Sequence, residues 1–374
     1  MNPAGHLPWQ GLLPPPPVGA PAVRFPGWLL CKHGEPLLWI PRNPALGRQV
    51  LTLYPAQTRL ARWSRRLAGW ALLWPRPPGL RRLDLTVAAE APFLVDLLAG
   101  ANCSPQHARF GLFCGNPRAP GRRFIFLRFS PSGTPDAVIK AGDNPAAHER
   151  LEAEANFLQT HAPQRLHAPP VQTVWRHGGL QAMVQPYVPG DRLTPSAALR
   201  LDRVLSKWIE PENRLPVPAL PLWSELRGMM KESASDLPRH WIEQVASLEV
   251  FPTLLHGDFA PWNLRVERAT GYCWVLDWER SREGGLAGWD WAYYVVQESL
   301  MVRRWAPQRV AAALEQWLEQ PEVRAYLALG GTDATRRAVV LSGLWYHYLH
   351  WRPTERAEEW AALLGLLHHR WNRP

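Results

Sequence analysis

The stretch His256-Gly257-Asp258-Phe259-Ala260-Pro261-Trp262-Asn263 constrains this 374-residue chain more than any other feature. It is followed by Val275-Leu276-Asp277-Trp278-Glu279, whose aspartate stands fourteen residues after the asparagine at the end of an apolar run. In residue types the pattern is H-x-D-x-x-x-x-N and then a strand-like segment closing on a carboxylate. Asp258 suits acceptance or orientation of a hydroxyl proton, and Asn263 and Asp277 offer the hard oxygen donors that a divalent cation prefers. Because Asp258 and Asn263 share one short loop, proton acceptor and metal ligand are held at a fixed separation.

The chain around this loop reads as α+β. Phe110 to Cys114, Phe124 to Phe129 and Ala137 to Lys140 are apolar runs separated by turn-rich segments, which predicts three antiparallel strands. Pro145 opens a helix carrying Glu149, Glu152 and Glu154, with Leu151, Ala155 and Leu158 on its apolar side. Val171 to Trp175 and Gln181 to Val188 predict two more strands, the second ending at Pro189-Gly190. Beyond that point the chain is mostly helical, apart from a short strand pair around Leu254 to Val266 and Cys273 to Leu276.

Together these residues resemble the aminoglycoside phosphotransferase and choline kinase-like family of small-molecule kinases, over roughly residues 105–365. The resemblance implies a two-lobed, protein kinase-like fold: a small antiparallel sheet with one helix over 105–190, and a mainly helical lobe over 191–374. ATP or GTP would bind between the lobes with Mg²⁺. It further implies that Asp258 is the catalytic aspartate, that His256 braces its loop, and that Asn263 and Asp277 ligate the metal. Asp290, in Gly288-Trp289-Asp290-Trp291, matches a downstream aspartate that stabilises the catalytic loop. Lys140, closing Ala137-Val138-Ile139-Lys140, would meet the α- and β-phosphates. Its partner on the following helix would be Glu152 first and Glu154 second. Gln185, Tyr187 and Val188 fall where the family's hinge offers backbone groups to adenine.

Lys140 gains weight from composition, since only four of the 42 basic residues are lysine. A compact ammonium is not replaced by a guanidinium fork at such a place. Gly115 to Gly121, at the nucleotide loop, lacks G-x-G-x-x-G, and Pro117 and Pro120 each remove a backbone donor. Asp277-Trp278-Glu279 replaces Asp-Phe-Gly and is similar to the choline kinase pattern. No Ala-Pro-Glu segment follows and Ala260 stands where protein kinases carry lysine, which disfavours protein substrates. The expected activity is transfer of a γ-phosphoryl group to a hydroxyl of a sugar, amino alcohol or related metabolite. The alternative is a catalytically silent, nucleotide-binding scaffold acting through its N-terminal extension.

That extension carries most of the basic excess, +7 of the formal +10 lying in residues 1–100. Residues 1–26 read as a Pro-rich flexible or extended leader, and 27–104 as a small α+β module. Within it, Trp28 to Cys31 and Leu37 to Ile40 predict a hairpin, and Val50 to Tyr54 a strand. From Thr58 to Trp74 the residues Leu60, Trp63, Leu67, Trp70 and Trp74 recur at helical spacing beside Arg59, Arg62 and Arg66. This Leu/Trp stripe is expected to pack on the kinase-like lobe, with an anionic membrane surface as the other seat. A nucleic-acid partner is not expected, because no recognised module accompanies the charge. The tryptophans default to burial, and Trp345 and Trp351, near Tyr346, His347 and His350, are the candidates for lining an acceptor pocket.

No apolar run reaches the ~20 residues of a membrane span. Pro14 to Pro17 interrupts the only candidate export segment, and a cytoplasmic location is expected. Cys31, Cys103, Cys114 and Cys273 form no C-x-x-C pair, which argues against a zinc site or a disulfide framework.

Overall fold

A computed structural model describes residues 7–54, 59–99, 104–117, 121–194, 200–233, 239–351 and 356–371. The chain divides into two compact units, one of residues 1–160 with 169–188, the other of residues 161–168 with 189–374.

Among the described residues the first unit is built on ten strands. They are β1 (Ala22–Phe25), β2 (Gly27–Lys32), β3 (Glu35–Pro41), β4 (Arg81–Arg82), β5 (Leu85–Ala88), β6 (Phe110–Phe113), β7 (Phe124–Phe129), β8 (Pro135–Gly142), β9 (Thr173–His177) and β10 (Leu180–Pro186). Eight of them form one antiparallel sheet in the order β4-β2-β3-β6-β7-β8-β10-β9, and β1 pairs with β5. The helices of this unit are α1 (Pro44–Val50), α2 (Arg59–Ala71) and α3 (Pro145–Thr160). The five strands expected over 105–190 and the helix after Pro145 are present, and the architecture is the α+β one expected.

The N-terminal hundred residues are part of this sheet. β3 continues it beyond β6, in the register Leu38 to Phe113 and Trp39 to Leu112. Leu112 and Trp39 are both buried, so β3 covers an apolar edge that β6 would otherwise leave unpaired. The Pro-rich leader is likewise tied down: Trp9, Leu12 and Leu13 are buried in the same core as Phe93, Phe110 and Phe126. Burial of an aromatic and two leucines outweighs what the proline content suggests. Residues 1–6 of that leader, Thr58 and Cys103 lie outside the described residues.

Two other expectations change. The strand expected at Val50 to Tyr54 is the end of α1 and a following 3-10 turn, Leu51–Leu53. Asn43 sets this, its Oδ1 accepting from the N–H groups of Ala45 at 2.9 Å and Leu46 at 3.3 Å, with Pro44 opening the helix. α2 forms as expected but does not bury its Leu/Trp stripe. It packs through Ala68 and its exit residue Leu72 against Leu38, Ile40, Leu46 and Val50, which leaves the opposite face outward.

The second unit is mainly helical, with α4 (Pro163–Leu166), α5 (Asp202–Leu205), α6 (Pro221–Glu232), α7 (Arg239–Ala246), α8 (Trp289–Gln297), α9 (Pro307–Leu318), α10 (Pro321–Leu329), α11 (Arg336–Trp351) and α12 (Ala357–Trp371). Short strands join in three pairs: β11 (Leu215–Pro216) with β12 (Glu249–Val250), β13 (Thr253–Leu255) with β16 (Arg282–Gly285), and β14 (Leu264–Val266) with β15 (Cys273–Val275). α8 and α11 pack together, with the Trp289 and Tyr346 rings 5.0 Å apart. No helix among the described residues is long and apolar enough to cross a membrane.

Candidate active site

In the second unit the hairpin β14–β15 gathers what the sequence spreads out. Its register, Leu264 to Val275, returns the chain to the loop, and the Leu276 N–H donates to the Asn263 carbonyl at 2.8 Å. Asn263 and Asp277 thereby come to lie at the base of one hairpin. The Asn263 side-chain amide donates to the Asp258 carbonyl oxygen at 2.9 Å and to its Oδ2 at 3.1 Å. From α8, Tyr293 donates its hydroxyl to Asp258 Oδ1 at 3.1 Å. Both carboxylate oxygens are thus fixed by donors from two different elements.

The loop backbone is held as firmly. Asp290, buried in the first turn of α8, accepts the His256 N–H at 2.6 Å on Oδ2 and the Gly257 N–H at 3.1 Å on Oδ1. The buried His256 ring accepts the Asp258 N–H on Nδ1 at 3.1 Å, so its Nε2 carries the proton donated to the Leu276 carbonyl at 3.0 Å. One imidazole therefore clamps the Asp258 end to the Asp277 end. Gly257 has φ 77°, and a Cβ there would stand 2.3 Å from the Arg280 carbonyl oxygen, so only glycine fits between the clamp and the acid. Asp277 also takes a left-handed conformation, φ 68°, uncommon for a non-glycine residue and typical of functional turns.

Burial pushes the Asp258 carboxyl up to about 6, opposed by the Arg280 cation and the Tyr293 hydrogen bond and reinforced by Asp277 and Glu279. Some Asp258 surface stays open, while its carboxyl lies deep among protein atoms. Asp290 is pushed up to about 7, again by burial first, against its two N–H partners. Burial works against the Arg280 charge too, but Asp258, Tyr293, Glu279 and Asp277 hold its pKa above the ordinary value. The Arg280 guanidinium lies over the Trp351 ring at 4.2 Å. His347 stacks on Tyr293, centroids 4.2 Å apart, and burial brings its pKa down to about 3. Of the aromatic residues considered for an acceptor pocket, Tyr346 and His347 are core residues, and Trp351 carries Arg280 beside the acid.

Tyr293 and Arg280 are the site residues that motif reading passed over. Tyr293 was recoverable, since it sits one helical turn after Asp290 and so on the same face of α8. Nothing local marks Arg280.

In the first unit, Lys140 stands on β8, between Ile125 of β7 and Met183 of β10. Its ammonium donates to both oxygens of the fully buried Glu154 on α3, at 2.6 and 2.8 Å. Arg123 approaches the same carboxylate at 3.5 Å. Glu152, the first choice for this partner, instead pairs with Arg176 at 2.9 Å on a solvent-facing side. The reason is helical register: Ala147, Leu151, Glu154, Ala155 and Leu158 share the buried stripe of α3, and Glu152 falls outside it.

Gln185 is buried on β10 and donates from Nε2 to the Pro169 carbonyl at 2.9 Å, while the Tyr187 N–H donates to the Asp136 carbonyl at 2.9 Å. Val188 ends this part of the unit. Gly115 opens the expected nucleotide loop with φ 64°, where a Cβ would meet the Arg123 carbonyl oxygen at 2.3 Å. Arg118, Ala119 and Pro120 of that loop lie outside the described residues.

Among the described residues no three His, Cys, Asp or Glu side chains gather as a metal site. The donor set at the hairpin is one carboxylate and one amide, with Asp258 and Glu279 adding negative charge near Arg280. That suits Mg²⁺, which takes one or two carboxylates and fills its shell with water and phosphate oxygens.

A family model described as the phosphotransferase enzyme family matches residues 121–329. No curated protein matches the sequence. Similar solved structures include a macrolide 2'-phosphotransferase from Brachybacterium faecium, 17% identical over 70% of this chain and 92% of its own, with a TM-score of 0.40. An ethanolamine kinase from Plasmodium vivax is 10% identical over 68% and 81%, with a TM-score of 0.44. An aminoglycoside phosphotransferase from Streptomyces rimosus, solved with ADP and streptomycin, is 16% identical over 61% and 89%, with a TM-score of 0.39. The matched stretch takes in Lys140, Glu154, His256, Asp258, Asn263, Asp277 and Asp290, more than half of the sequence in all, and the chain belongs to the phosphotransferase enzyme family.

Proposed function

We propose that this phosphotransferase moves the γ-phosphoryl group of ATP or GTP to a hydroxyl of a small metabolite. The observation that carries the reading is Asp258, fixed through both carboxylate oxygens by Asn263 and Tyr293 on a loop clamped by His256 and Asp290. In this reading Asp258 receives the proton of the attacking hydroxyl as the new P–O bond forms and the bond to the nucleoside diphosphate breaks. Asn263 and Asp277 would hold Mg²⁺, which when bound neutralises phosphate charge. Lys140, aimed by Glu154, would meet the α- and β-phosphates, and the segment from Gln185 to Val188 would face the adenine or guanine base.

For the acceptor, residues 298–374 hold eight acidic and ten basic side chains. That balance favours a neutral or anionic acceptor, such as a sugar, or a singly charged amino alcohol, over a polycation. A cytoplasmic location agrees with nucleotide use.

The test is a transfer screen against hydroxylated metabolites with ATP or GTP and Mg²⁺, run beside Asp258→Asn. Turnover falls about 10²–10⁴-fold in the variant, with an unchanged circular dichroism spectrum. Equal turnover removes Asp258 from the mechanism. Mg²⁺-dependent thermal stabilisation by nucleotide without transfer to any acceptor returns the scaffold reading.

A further inference from the structure

The surface of the first unit concentrates large apolar side chains in one place. Among the described residues, six of the nine exposed large hydrophobics lie between Leu60 and Trp74, each 52–78% exposed. Leu60, Trp63, Leu67 and Trp70 follow one another at spacings of three, four and three along α2, which places them on a single stripe. Leu73 and Trp74 extend the patch past the helix end. The opposite face of the same helix is the one that packs on α1 and the sheet, where Arg48 Nε donates to the Gly69 carbonyl at 3.2 Å. The helix is therefore anchored with its most apolar side outward. A contiguous patch of this kind on a folded surface marks an interaction site.

Charge says what kind. Residues 59–82 contain seven arginines and no acidic residue. Two hollows border the stripe. One, of about 360 Å³, is lined by Arg48, Leu51, Arg65, Arg66, Gly69 and Trp70. The other, of about 570 Å³, has Arg42, Arg76 and Arg82 together with Trp28, Leu73 and Trp74 in its wall. Arginines thus line the same hollows as tryptophans, one along α2 and the other at its C-terminal exit. Tryptophan is enriched at the headgroup level of bilayers, and arginine forks match phosphate oxygens.

We propose that α2 and the segment through Trp74 form a seat for an anionic membrane surface. The Leu/Trp stripe enters the boundary between headgroups and acyl chains, and Arg48, Arg66 and Arg76 beside the hollows meet lipid phosphates. A second copy of this chain is a poor occupant, because two such surfaces would bring together an excess of arginines that Asp84, already paired with Arg42 at 3.3 Å and Arg82 at 3.4 Å, does not balance. The seat would hold the phosphotransferase at a bilayer through the face of α2.

The experiment is co-sedimentation of the full chain with vesicles of phosphatidylcholine alone, or with about 30% phosphatidylglycerol added, at about 0.05 and 0.5 M salt. The expected result is capture by the anionic vesicles only, weakening about tenfold or more at the higher salt. The triple variant Trp63→Ala, Leu67→Ala, Trp70→Ala loses about tenfold or more in partition, and Arg66→Glu weakens it in the same sense. Both variants keep the parent's melting temperature, since the altered side chains face solvent. No capture of the parent at low salt would overturn the proposal. Equal capture of the triple variant would do so too, as would a parent dimer in light scattering that the triple substitution dissolves.

Discussion

Glu152 and Glu154 are two residues apart on one helix, and exchanging each for glutamine separates a buried ion pair from a surface one. Glu154 is fully buried, takes both oxygens to the Lys140 ammonium at 2.6 and 2.8 Å, and has Arg123 at 3.5 Å. Glu154→Gln leaves two cations facing a neutral amide in the interior. Breaking a buried pair from one side costs about 3–5 kcal/mol. The glutamine oxygen still accepts one hydrogen bond, which points to the lower end, about 3 kcal/mol. Glu152 and Arg176 have side chains 46% and 60% exposed, so water screens their pair and its loss costs at most about 1 kcal/mol.

The chain has two units and need not unfold in one step, so a local readout is required. Hydrogen exchange of the amides in β8 and α3 supplies it. About 3 kcal/mol corresponds to a loss of protection of roughly a hundredfold in Glu154→Gln, against less than about fivefold in Glu152→Gln. Function is separated by the pair Lys140→Met with Glu154→Leu. Similar-sized apolar groups remove one of the two buried cations and recover part of the protection, while turnover stays lost because no ammonium remains for phosphate. Equal loss of protection in the two glutamine variants would refute the register of α3. Full turnover in the apolar pair would show that the ion pair is structural only.

Two further outcomes follow from the second unit. Asp290→Ala strips the partner from the buried N–H groups of His256 and Gly257, costs about 2–5 kcal/mol in chemical denaturation and lowers kcat, whereas Asp290→Asn recovers part of both. His347, brought down to about 3, stays neutral in the fold while the unfolded chain takes its proton near 6.5. The unfolded state thus binds more protons between those values, and stability falls on acidification by about 2–3 kcal/mol from pH 7 to about 4.5. His347→Phe keeps the stack on Tyr293 and flattens that slope. Asp258 and Asp290, whose pKa values are raised, act in the opposite sense, so the difference between variant and parent isolates the histidine. An unchanged slope would remove His347 as its source.

The loop from His256 to Asn263 was legible because its chemistry is local: acid, amide and imidazole sit within eight residues. Glu154 was legible too, since it continues the stripe Leu151, Ala155 and Leu158, and weighing that stripe would have ranked it above Glu152. What local pattern cannot carry is the pairing of distant segments. Proline content described the leader as extended, yet Trp9, Leu12 and Leu13 find a core made by strands a hundred residues later. Residues 27–104 looked self-sufficient, because nothing in β3 announces that its partner is β6. The stripe of α2 misled for the opposite reason: amphipathic spacing shows that a helix has two faces, not which one its own protein covers.

The two units treat charge differently, and the contrast bears on what each does. In the first, the Glu154 carboxylate is balanced by Lys140 and approached by Arg123, a group already neutralised before any ligand arrives. In the second, Asp258 feels Asp277 and Glu279 as well as burial, and Arg280 is the cation that opposes them. Protein donors hold the oxygens in place without cancelling that excess, for Asn263 and Tyr293 contribute dipoles, not charge. A carboxylate fixed in advance and short of positive charge fits the proposal that a divalent ion with its phosphates would bind beside it, because little reorganisation would accompany binding. The left-handed backbone at Asp277 is the local strain that such a fixed arrangement entails, and glycine at 257 takes its positive φ without that cost. On this reasoning Mg²⁺ binds more weakly to Asp277→Asn than to the parent, and a variant that bound it equally well would place the ion elsewhere.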